Sequence, residues 1–144
     1  MKNMTIGYSG TPLVRKLGIK ENFSILLINE PSNYFELFEG HFPAIAFPEN
    51  QTTKVDFIHY FPFNAQAYSS EIKNLKSRIN PAGMIWVSWF KKSSGIATDI
   101  TEDIIRKVAL QNELVDVKVC AIDERYSGLK LVIPVNFRQR ASIG

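Results

Sequence analysis

The stretch Gly83–Asp103, GMIWVSWFKKSSGIATDITED, contains a complete change of secondary structure. Its first part, Met84–Trp89, is a short apolar run, which is typical of a strand buried on both faces. A basic loop with serines and a glycine follows. Thr101 then suits the N-cap of a helix, with Glu102 and Asp103 in the first turn, where acidic side chains interact favourably with the helix dipole. A buried strand joined in this way to a helix is the unit from which parallel α/β sheets are built.

Buried strands and helices also alternate in the preceding part of the chain. Phe23–Asn29 is nearly continuous apolar and predicts the first buried strand, and Lys54–Tyr60 predicts the second. One helical turn is expected at Tyr34–Phe38. The clearest helix, Asn64–Ile79, precedes the third strand and carries one apolar stripe, formed by Tyr68, Ile72, Leu75 and Ile79. With right-handed crossovers, this order predicts a parallel sheet flanked by helices.

Two further strands are predicted at the C-terminal end, Val115–Ile122 and Leu129–Val135. The short turn between them favours an antiparallel hairpin, and Pro134 suits an edge or a strand end. We therefore expect an α/β fold: a reduced Rossmann-like three-layer domain with a mostly parallel sheet of about five strands, closed by the C-terminal antiparallel hairpin. A single domain spans 1–144, with an N-terminal arm at 1–10 and a mobile tail at 136–144. A short helix begins at Thr11-Pro12, with Thr11 as N-cap, and ends at Gly18.

Charge and cysteine content disfavour several classes of function. The chain has 17 Lys and Arg against 14 Asp and Glu, a net charge of +3, and its basic residues are scattered, which is typical of a solvated surface rather than a nucleic-acid interface. The single cysteine, Cys120, cannot form an internal disulfide and lies in an apolar run, as a small buried hydrophobe does. The sequence has no apolar run of about 18 residues and no apolar signal core at its start, so we expect a soluble, cytoplasmic protein without a membrane partner.

Catalytic and metal-binding templates are scarce. The only histidines, His41 and His59, have no His, Cys or carboxylate at metal-ligand spacing, so no metal is expected. The sequence contains neither a G-x-S-x-G elbow nor a phosphate loop ending in G-K-[ST]. We therefore predict no catalytic residue, and the balance lies against an enzyme.

The candidate ligand site is the loop that follows the third strand. In open α/β sheets, ligands bind beyond the carboxyl ends of the strands, where Glu30–Asn33, Tyr60–Asn64 and Trp89–Thr101 should converge. The third stretch combines charge, hydroxyls, an aromatic ring and the amides of a helix start, which favour anions. The predicted ligand-binding residues are Trp89, Lys91, Lys92, Ser93, Ser94, Gly95, Thr98 and Thr101. An ordinary solvated loop has the same composition, and Asp99 would repel an anion unless it is turned away.

The turn after the first strand differs from a dinucleotide-binding turn. There a glycine-rich loop lets backbone amides approach a pyrophosphate. Here Glu30-Pro31-Ser32-Asn33 occupies the turn. Proline lacks an N–H and glutamate repels phosphate, which argues against ordinary nucleotide binding at this turn.

Several stretches resemble a bacterial family known only as a domain of unknown function. They are GYSGTPL at Gly7–Leu13, KLGIK at Lys16–Lys20, WVSWFKKSSG at Trp86–Gly95, TDITED at Thr98–Asp103, VDVKVCAIDE at Val115–Glu124 and SGLKLVI at Ser127–Ile133. Together they span most of the chain. The resemblance implies membership of that family and brings no activity with it.

From Ile79 onward the chain is also similar in organisation to the C-terminal half of S-adenosylmethionine-dependent methyltransferases. In that family a P-x-G turn, here Pro81 to Gly83, leads into a strand, a helix and an antiparallel closing hairpin. The family also has a glycine-rich loop after its first strand and an acidic residue that closes the second strand and holds the cofactor ribose. Here Glu30–Asn33 replaces that loop, and Gly40–Thr53 is too short for the usual second and third strands. The resemblance thus implies a reduced Rossmann-like sheet, and the missing cofactor turn argues against S-adenosylmethionine.

Three functions follow as hypotheses. The first is a small binding or regulatory module that takes an anionic or phosphate-bearing ligand at residues 89–101. The second is a degenerate methyltransferase-like transferase. The third is a structural or interaction protein that forms a homo-oligomer through its edge hairpin.

Overall fold

The computed structural model describes residues 11–138, so the predicted arm at 1–10 and residues 139–144 of the predicted tail lie outside the described residues. The described chain alternates strands with helices much as the sequence predicts. The elements in chain order are α1 (Leu13–Leu17), β1 (Ile25–Ile28), a 3₁₀ helix (Tyr34–Phe38), β2 (Val55–Tyr60), α2 (Ala65–Lys76), β3 (Ile79–Phe90), a second 3₁₀ helix (Lys92–Ser94), α3 (Glu102–Gln111), β4 (Val115–Ala121) and β5 (Tyr126–Val132).

The strands form one sheet in the order β1-β2-β3-β5-β4. Strands β1, β2 and β3 are parallel, β5 runs antiparallel to β3, and β4 runs antiparallel to β5. All strands except β5 therefore point the same way, which confirms the predicted α/β fold with a closing hairpin. The last strand, β5, is an inner strand of the sheet, and Pro134 lies beyond its end at Val132. The edge strand on this side is β4, and the side chains of Leu129 and Leu131 in β5 are fully buried in the core under α2 and α3.

The sheet separates two apolar cores. One face packs against α2 and α3, and it includes Tyr68, Ile72 and Leu75 of the predicted stripe, whereas Ile79 already belongs to β3. The other face is covered by α1 and the first 3₁₀ helix. Both long helices begin at a side-chain N-cap, and the cap of α3 is Thr101, as predicted. The Asn64 side chain accepts a hydrogen bond from the amide of Ala67, and the Thr101 side chain accepts one from the amide of Ile104.

Strand β3 is longer than predicted because residues 80–83 form a bulge rather than a turn. Val55 pairs with Ile79, but Phe57 pairs with Met84, so β3 contains extra residues between these pairs. Asp56 holds the bulge in place. Its Oδ1 accepts a hydrogen bond from the Asn80 side chain at 2.9 Å, and its Oδ2 accepts one from the amide of Ser24, just before β1, at 2.8 Å. Proline is tolerated in a central strand at such a bulge, so Pro81 does not end β3.

The short helix α1 begins at Leu13, with Pro12 in the N-cap position and no side-chain cap, so the predicted Thr11 N-cap is wrong. The extended backbone of Pro12, at ψ 146°, places it outside the helix. Gly18 ends the helix as expected, in the left-handed region at φ 81°. The indole of Trp86 donates a hydrogen bond to the carbonyl of Leu17 at 2.9 Å and so ties α1 to β3.

The segment 40–53 meets the outer edge of β1 at one point. Ala46 forms an isolated parallel bridge with Ser24, with hydrogen bonds of 2.9 Å to Phe23 and Ile25. In a sheet with more strands, the next strand would pair with this edge of β1. Here the segment 40–53 forms only an isolated bridge beside β1 and then leads into β2.

Candidate functional site

A small cavity lies at the carboxyl ends of β1, β2 and β3, where open α/β sheets bind ligands. Its volume is about 180 Å³. None of the residues that line it is charged. They are Asn29, Phe61, Pro62, Phe63, Ser88, Trp89, Phe90, Ala97, Thr98 and Tyr126. We call it the aromatic cavity, because five of its ten lining residues are aromatic.

The rings of the aromatic cavity are fixed by their neighbours. Tyr126 stacks on Phe90 with ring centroids 4.7 Å apart and meets Phe61 edge-on at 5.1 Å. Phe61 in turn stacks on His59 at 4.4 Å. Phe63 differs, because 76% of it is exposed and it lies at the rim. A flat ligand that entered the cavity could cover Phe63 and remove apolar surface from water.

Behind this wall lies a hydrogen-bonded set that we call the buried triad: Tyr34, His59 and Ser88. The Tyr34 hydroxyl lies 2.9 Å from His59 Nδ1, and His59 Nε2 lies 2.7 Å from Ser88 Oγ. All three residues are buried, and Ser88 also lines the aromatic cavity. The buried triad therefore links the first 3₁₀ helix to the cavity through β2 and β3.

Burial fixes the protonation states of the buried triad. It lowers the pKa of His59 from 6.5 to about 3, so the imidazole is neutral near pH 7. Burial, with a smaller contribution from the negative charge of Glu30, raises the pKa of Tyr34 well above its usual range. Neutral Tyr34 and neutral His59 can share hydrogen bonds, but neither readily takes up a charge.

A wider opening, the open cleft, adjoins the aromatic cavity and has a volume of about 830 Å³. Trp89, Phe90, Ala97 and Thr98 line both spaces. Of the ligand-binding residues predicted from the sequence, the cleft is lined by Trp89, Lys91, Lys92, Gly95, Thr98 and Thr101. The other two, Ser93 and Ser94, line neither space. The structure thus brings six of the predicted residues together along one opening, and their ligand-binding role stays a prediction.

The hydroxyls of the 91–101 loop shape the loop itself. Ser94 donates to the carbonyl of Lys91 at 2.7 Å and accepts from the amide of Ile96 at 3.1 Å. The Thr98 hydroxyl accepts from the amide of Ile100 at 3.1 Å. Thr101 is occupied as the cap of α3 and Gly95 closes the second 3₁₀ helix at φ 78°. Much of the polarity that the sequence suggests for a ligand therefore stabilises the loop.

The charges along the open cleft are mixed. Glu102 and Asp103 line it near the start of α3, and both form ion pairs with Arg106. Lys91 and Lys92 make no ion pair within residues 11–138.

Asp99 is turned away from the open cleft. Its Oδ1 accepts a hydrogen bond from the amide of Ala65 at 2.9 Å, so the carboxylate faces the start of α2. This contact joins the 91–101 loop to the segment that follows β2.

The sequence predictions did not include the buried triad or the ring wall. The sequence offers His59 only as a candidate metal ligand and gives Ser88 no separate role. The available signal was one polar residue inside each of two adjacent apolar strands, FIHY and WVSW. Among the described residues, no group of three or more His, Cys, Asp and Glu side chains could hold a metal. None of the helices in residues 11–138 is long and apolar enough to cross a membrane.

Comparison with known proteins gives the fold and no family. No protein-family model matches the chain, and no curated protein matches it. Its resemblance to a bacterial family of unknown function therefore stays a prediction.

Several solved structures with a similar fold are methyltransferases. An S-adenosylmethionine-dependent methyltransferase from Aquifex aeolicus superposes with a TM-score of 0.58 at 11% identity, over 85% of this chain and 88% of that one. The ribosomal protein L11 methylase from Lactobacillus delbrueckii subsp. bulgaricus gives 0.55 at 13% identity, over 84% and 74%. Magnesium protoporphyrin IX methyltransferase from Synechocystis PCC 6803, with bound S-adenosylmethionine, gives 0.55 at 12% identity, over 85% and 74%.

These structures correct one prediction. The argument from the missing glycine turn against S-adenosylmethionine is contradicted, because proteins with this fold were solved with that cofactor or with S-adenosylhomocysteine bound. The turn at Glu30–Asn33 is one part of the crevice. The residues of this turn do not alter the carboxyl ends of β2 and β3 or the aromatic cavity that lies between them.

Proposed function

We propose that this protein is a methyltransferase-like transferase that binds S-adenosylmethionine, or a closely related nucleoside, at the carboxyl ends of β1, β2 and β3. The observation that supports the proposal most is the position of the aromatic cavity. An uncharged cavity with ring walls lies at the ligand-binding end of the sheet. The fold around it is shared with proteins that were solved with this cofactor.

The described residues fit one part of such a ligand well. Pockets for complete small molecules have volumes of about 300–1,000 Å³, so the aromatic cavity holds a single flat group. The remainder of the ligand would extend past Trp89 and Thr98 into the open cleft, which these residues also line. The ring of the nucleoside suits the cavity, and its polar part suits the cleft.

The first turn fits the cofactor less well. Pro31 has no amide hydrogen to donate, and the Glu30 carboxylate would repel the carboxylate of the amino-acid part. The bound cofactor would supply a methyl group activated by a positively charged sulfur. The aromatic cavity is lined by hydroxyls and an amide rather than by carboxylates, so this chain's own contribution there is to bind and orient a ring.

Isothermal titration calorimetry tests the proposal, with S-adenosylmethionine, S-adenosylhomocysteine and adenosine as ligands. We expect Phe63→Ala to weaken binding about fivefold or more, because stacking of one base on an aromatic ring contributes about 1–3 kcal/mol. Phe63 is mostly exposed, so its removal should leave the fold intact. Phe47→Ala is the matched control, since Phe47 is 56% exposed and lies outside both spaces. Absence of heat with all three ligands at millimolar concentration would contradict the proposal.

A second candidate function is the binding of a small anionic ligand by the 91–101 loop. It is supported by Lys91 and Lys92, which line the open cleft without an ion pair in the described chain. Thermal-shift measurements with phosphate, nucleotides and acidic metabolites should show stabilisation that declines as salt is added. Lys91→Ala with Lys92→Ala should remove it, whereas Lys73→Ala with Lys107→Ala, on exposed helix positions, should not. If no anion shifts the melting temperature, this candidate is rejected.

A further inference from the structure

The hydrogen atoms of the buried triad can be arranged in two ways. In the first, the Tyr34 hydroxyl donates to His59 Nδ1, and His59 Nε2–H donates to Ser88 Oγ. In the second, Ser88 donates to His59 Nε2, and His59 Nδ1–H donates to the Tyr34 oxygen. Both fit the two distances of 2.9 Å and 2.7 Å. They differ in which hydroxyl hydrogen is left over.

Burial selects the first arrangement. In the second, the Tyr34 hydroxyl hydrogen has no acceptor, since His59 Nδ1 is the one hydrogen-bond partner of this hydroxyl within residues 11–138. Tyr34 is 1% exposed and lines neither the aromatic cavity nor the open cleft, so water does not replace the missing acceptor, and an unsatisfied buried donor is costly. In the first arrangement the remaining hydrogen is that of Ser88, which is also 1% exposed but lines the aromatic cavity, so a ligand acceptor placed there would satisfy it.

The same arrangement rules out Ser88 as a nucleophile activated by His59. A general base must accept the serine hydrogen at Nε2, but here Nε2 already carries a hydrogen. Burial also lowers the pKa of His59 to about 3, which opposes formation of the imidazolium that such a step requires. Ser88 is therefore held as a hydrogen-bond donor.

The size of the aromatic cavity limits what can accept this hydrogen bond. A cavity of about 150 Å³ holds one benzene molecule. The aromatic cavity, at about 180 Å³ and without charged lining residues, has room for one ring or a small fused pair. Its ring walls, in which Tyr126 stacks on Phe90 and meets Phe61 edge-on, favour a flat group.

We propose that Ser88 determines specificity in the aromatic cavity by donating a hydrogen bond, and that the cavity selects a neutral, flat heteroaromatic ring with an unprotonated ring nitrogen or ring carbonyl at its edge. The inference rests on the proposed function only in placing a ligand in this crevice. Such a ring could belong to the nucleoside of a cofactor or to a second substrate, and both present the same edge to Ser88.

The tautomer of His59 can be tested in the native protein without any ligand. Long-range ¹H–¹⁵N correlation spectra at neutral pH should place the hydrogen of the imidazole on Nε2. A hydrogen on Nδ1 would overturn the proposal, because Ser88 would then donate to His59 and not to the cavity. This measurement needs no variant and so does not depend on whether a substituted chain folds.

Binding of two ring probes tests the selectivity. Pyridine and benzene differ by one ring nitrogen, and NMR titration above pH 7 should show pyridine binding about fivefold more tightly or better, the value of one net hydrogen bond. Ser88→Ala should abolish the preference while benzene still binds. Ser69→Ala, which removes the hydroxyl of an exposed serine in α2 outside both spaces, should retain it. Equal affinity of the native protein for the two probes would overturn the proposal.

Competition separates the two sources of the ring. Displacement of pyridine by both adenosine and S-adenosylmethionine would support the nucleoside ring as the natural occupant. Simultaneous binding of pyridine and S-adenosylmethionine would support the ring of a second substrate. Pyridine selectivity in a protein that binds no nucleoside would refute the proposed function and support the inference about Ser88.

Discussion

The state of His59 has a consequence for stability. His59 is fully buried, and its pKa falls from 6.5 in the unfolded chain to about 3 in the folded one. Below pH 6.5 the unfolded chain takes up a proton at this position that the folded chain does not. The stability contributed by neutral His59 is thus complete above pH 6.5 and is lost as the pH falls from 6.5 toward 3.

We expect this single residue to steepen the acid sensitivity of the fold. Between pH 6.5 and 3 the free energy of unfolding should fall with a slope that approaches about 1.4 kcal/mol per pH unit from His59 alone. Urea unfolding at several pH values measures the slope. His59→Gln should lower stability at neutral pH and flatten the slope, whereas His41→Gln, at the exposed second histidine, should leave both unchanged. An unaltered slope in His59→Gln would show that His59 is charged or accessible in the folded state.

At the residue scale, the exposed polar residues of the candidate site are easier to predict from the sequence than the buried polar residues. Lys91, Lys92 and Thr98 attract notice because they are polar in a loop, and they do lie along the open cleft. His59 and Ser88 stand alone in apolar strands. Their partnership depends on the pairing of β2 with β3, which brings His59 beside Trp86 and leaves Ser88 two residues further along the strand. That register is a long-range property, and periodicity in one strand does not contain it.

At the scale of elements, the bulge at residues 80–83 explains why the start of β3 was predicted wrongly. Proline and glycine together usually mark a turn, so the sequence predicts a turn at Pro81 and Gly83. Their local preferences are also satisfied in a bulge, where no ladder hydrogen bond is required of proline. The hydrogen bond from Asn80 to Asp56 then keeps the extra residues against β2.

Two glycine substitutions distinguish close approach from backbone strain. A Cβ at position 83 would lie 3.0 Å from the carbonyl oxygens of both Asn80 and Asp56, which are backbone atoms that cannot move independently. We expect Gly83→Ala to lower the free energy of unfolding by about 2 kcal/mol or more. A Cβ at position 95 would meet no atom within 4 Å, but the residue must keep φ at 78°. We therefore expect Gly95→Ala to lower the free energy of unfolding by about 1 kcal/mol. Urea midpoints give the comparison, and an equal or smaller effect at position 83 would contradict the close packing of the bulge.

At the scale of the molecule, the alternation of buried strands and helices was enough to predict the sheet, its direction and its closing hairpin. The position of the hairpin was not predictable in the same way. Either of its strands could have paired with β3. The side chains of Leu129 and Leu131 in β5 are fully buried in the core, whereas Val117 and Val119 in β4 are about half exposed, so β5 takes the inner position. The sequence locates the cavity only as a region, since the ring contacts among Phe61, Phe90 and Tyr126 require side chains from three separate segments.

The placement of β4 at the edge leads to a prediction about assembly. Its outer backbone groups face no strand in the described chain, and Val117 and Val119 are 56% and 49% exposed. Lys118 lies between them and would ordinarily protect such an edge. Its ammonium, however, donates to the carbonyl of Lys16 at 3.1 Å, which holds the side chain over the sheet face. We therefore expect two copies to associate through paired β4 edges, as a two-fold dimer permits.

Sedimentation velocity over a wide range of protein concentration measures this association. The mass of the native chain should rise from that of a monomer toward that of a dimer as concentration increases. Val119→Lys should hold the protein as a monomer without lowering its melting temperature, because the new charge lies on an exposed edge position. Val135→Lys is the control, since Val135 is 75% exposed and lies outside the sheet, and it should still dimerise. A native chain that stays monomeric at every concentration would mean that Lys118 protects the edge despite its contact with Lys16.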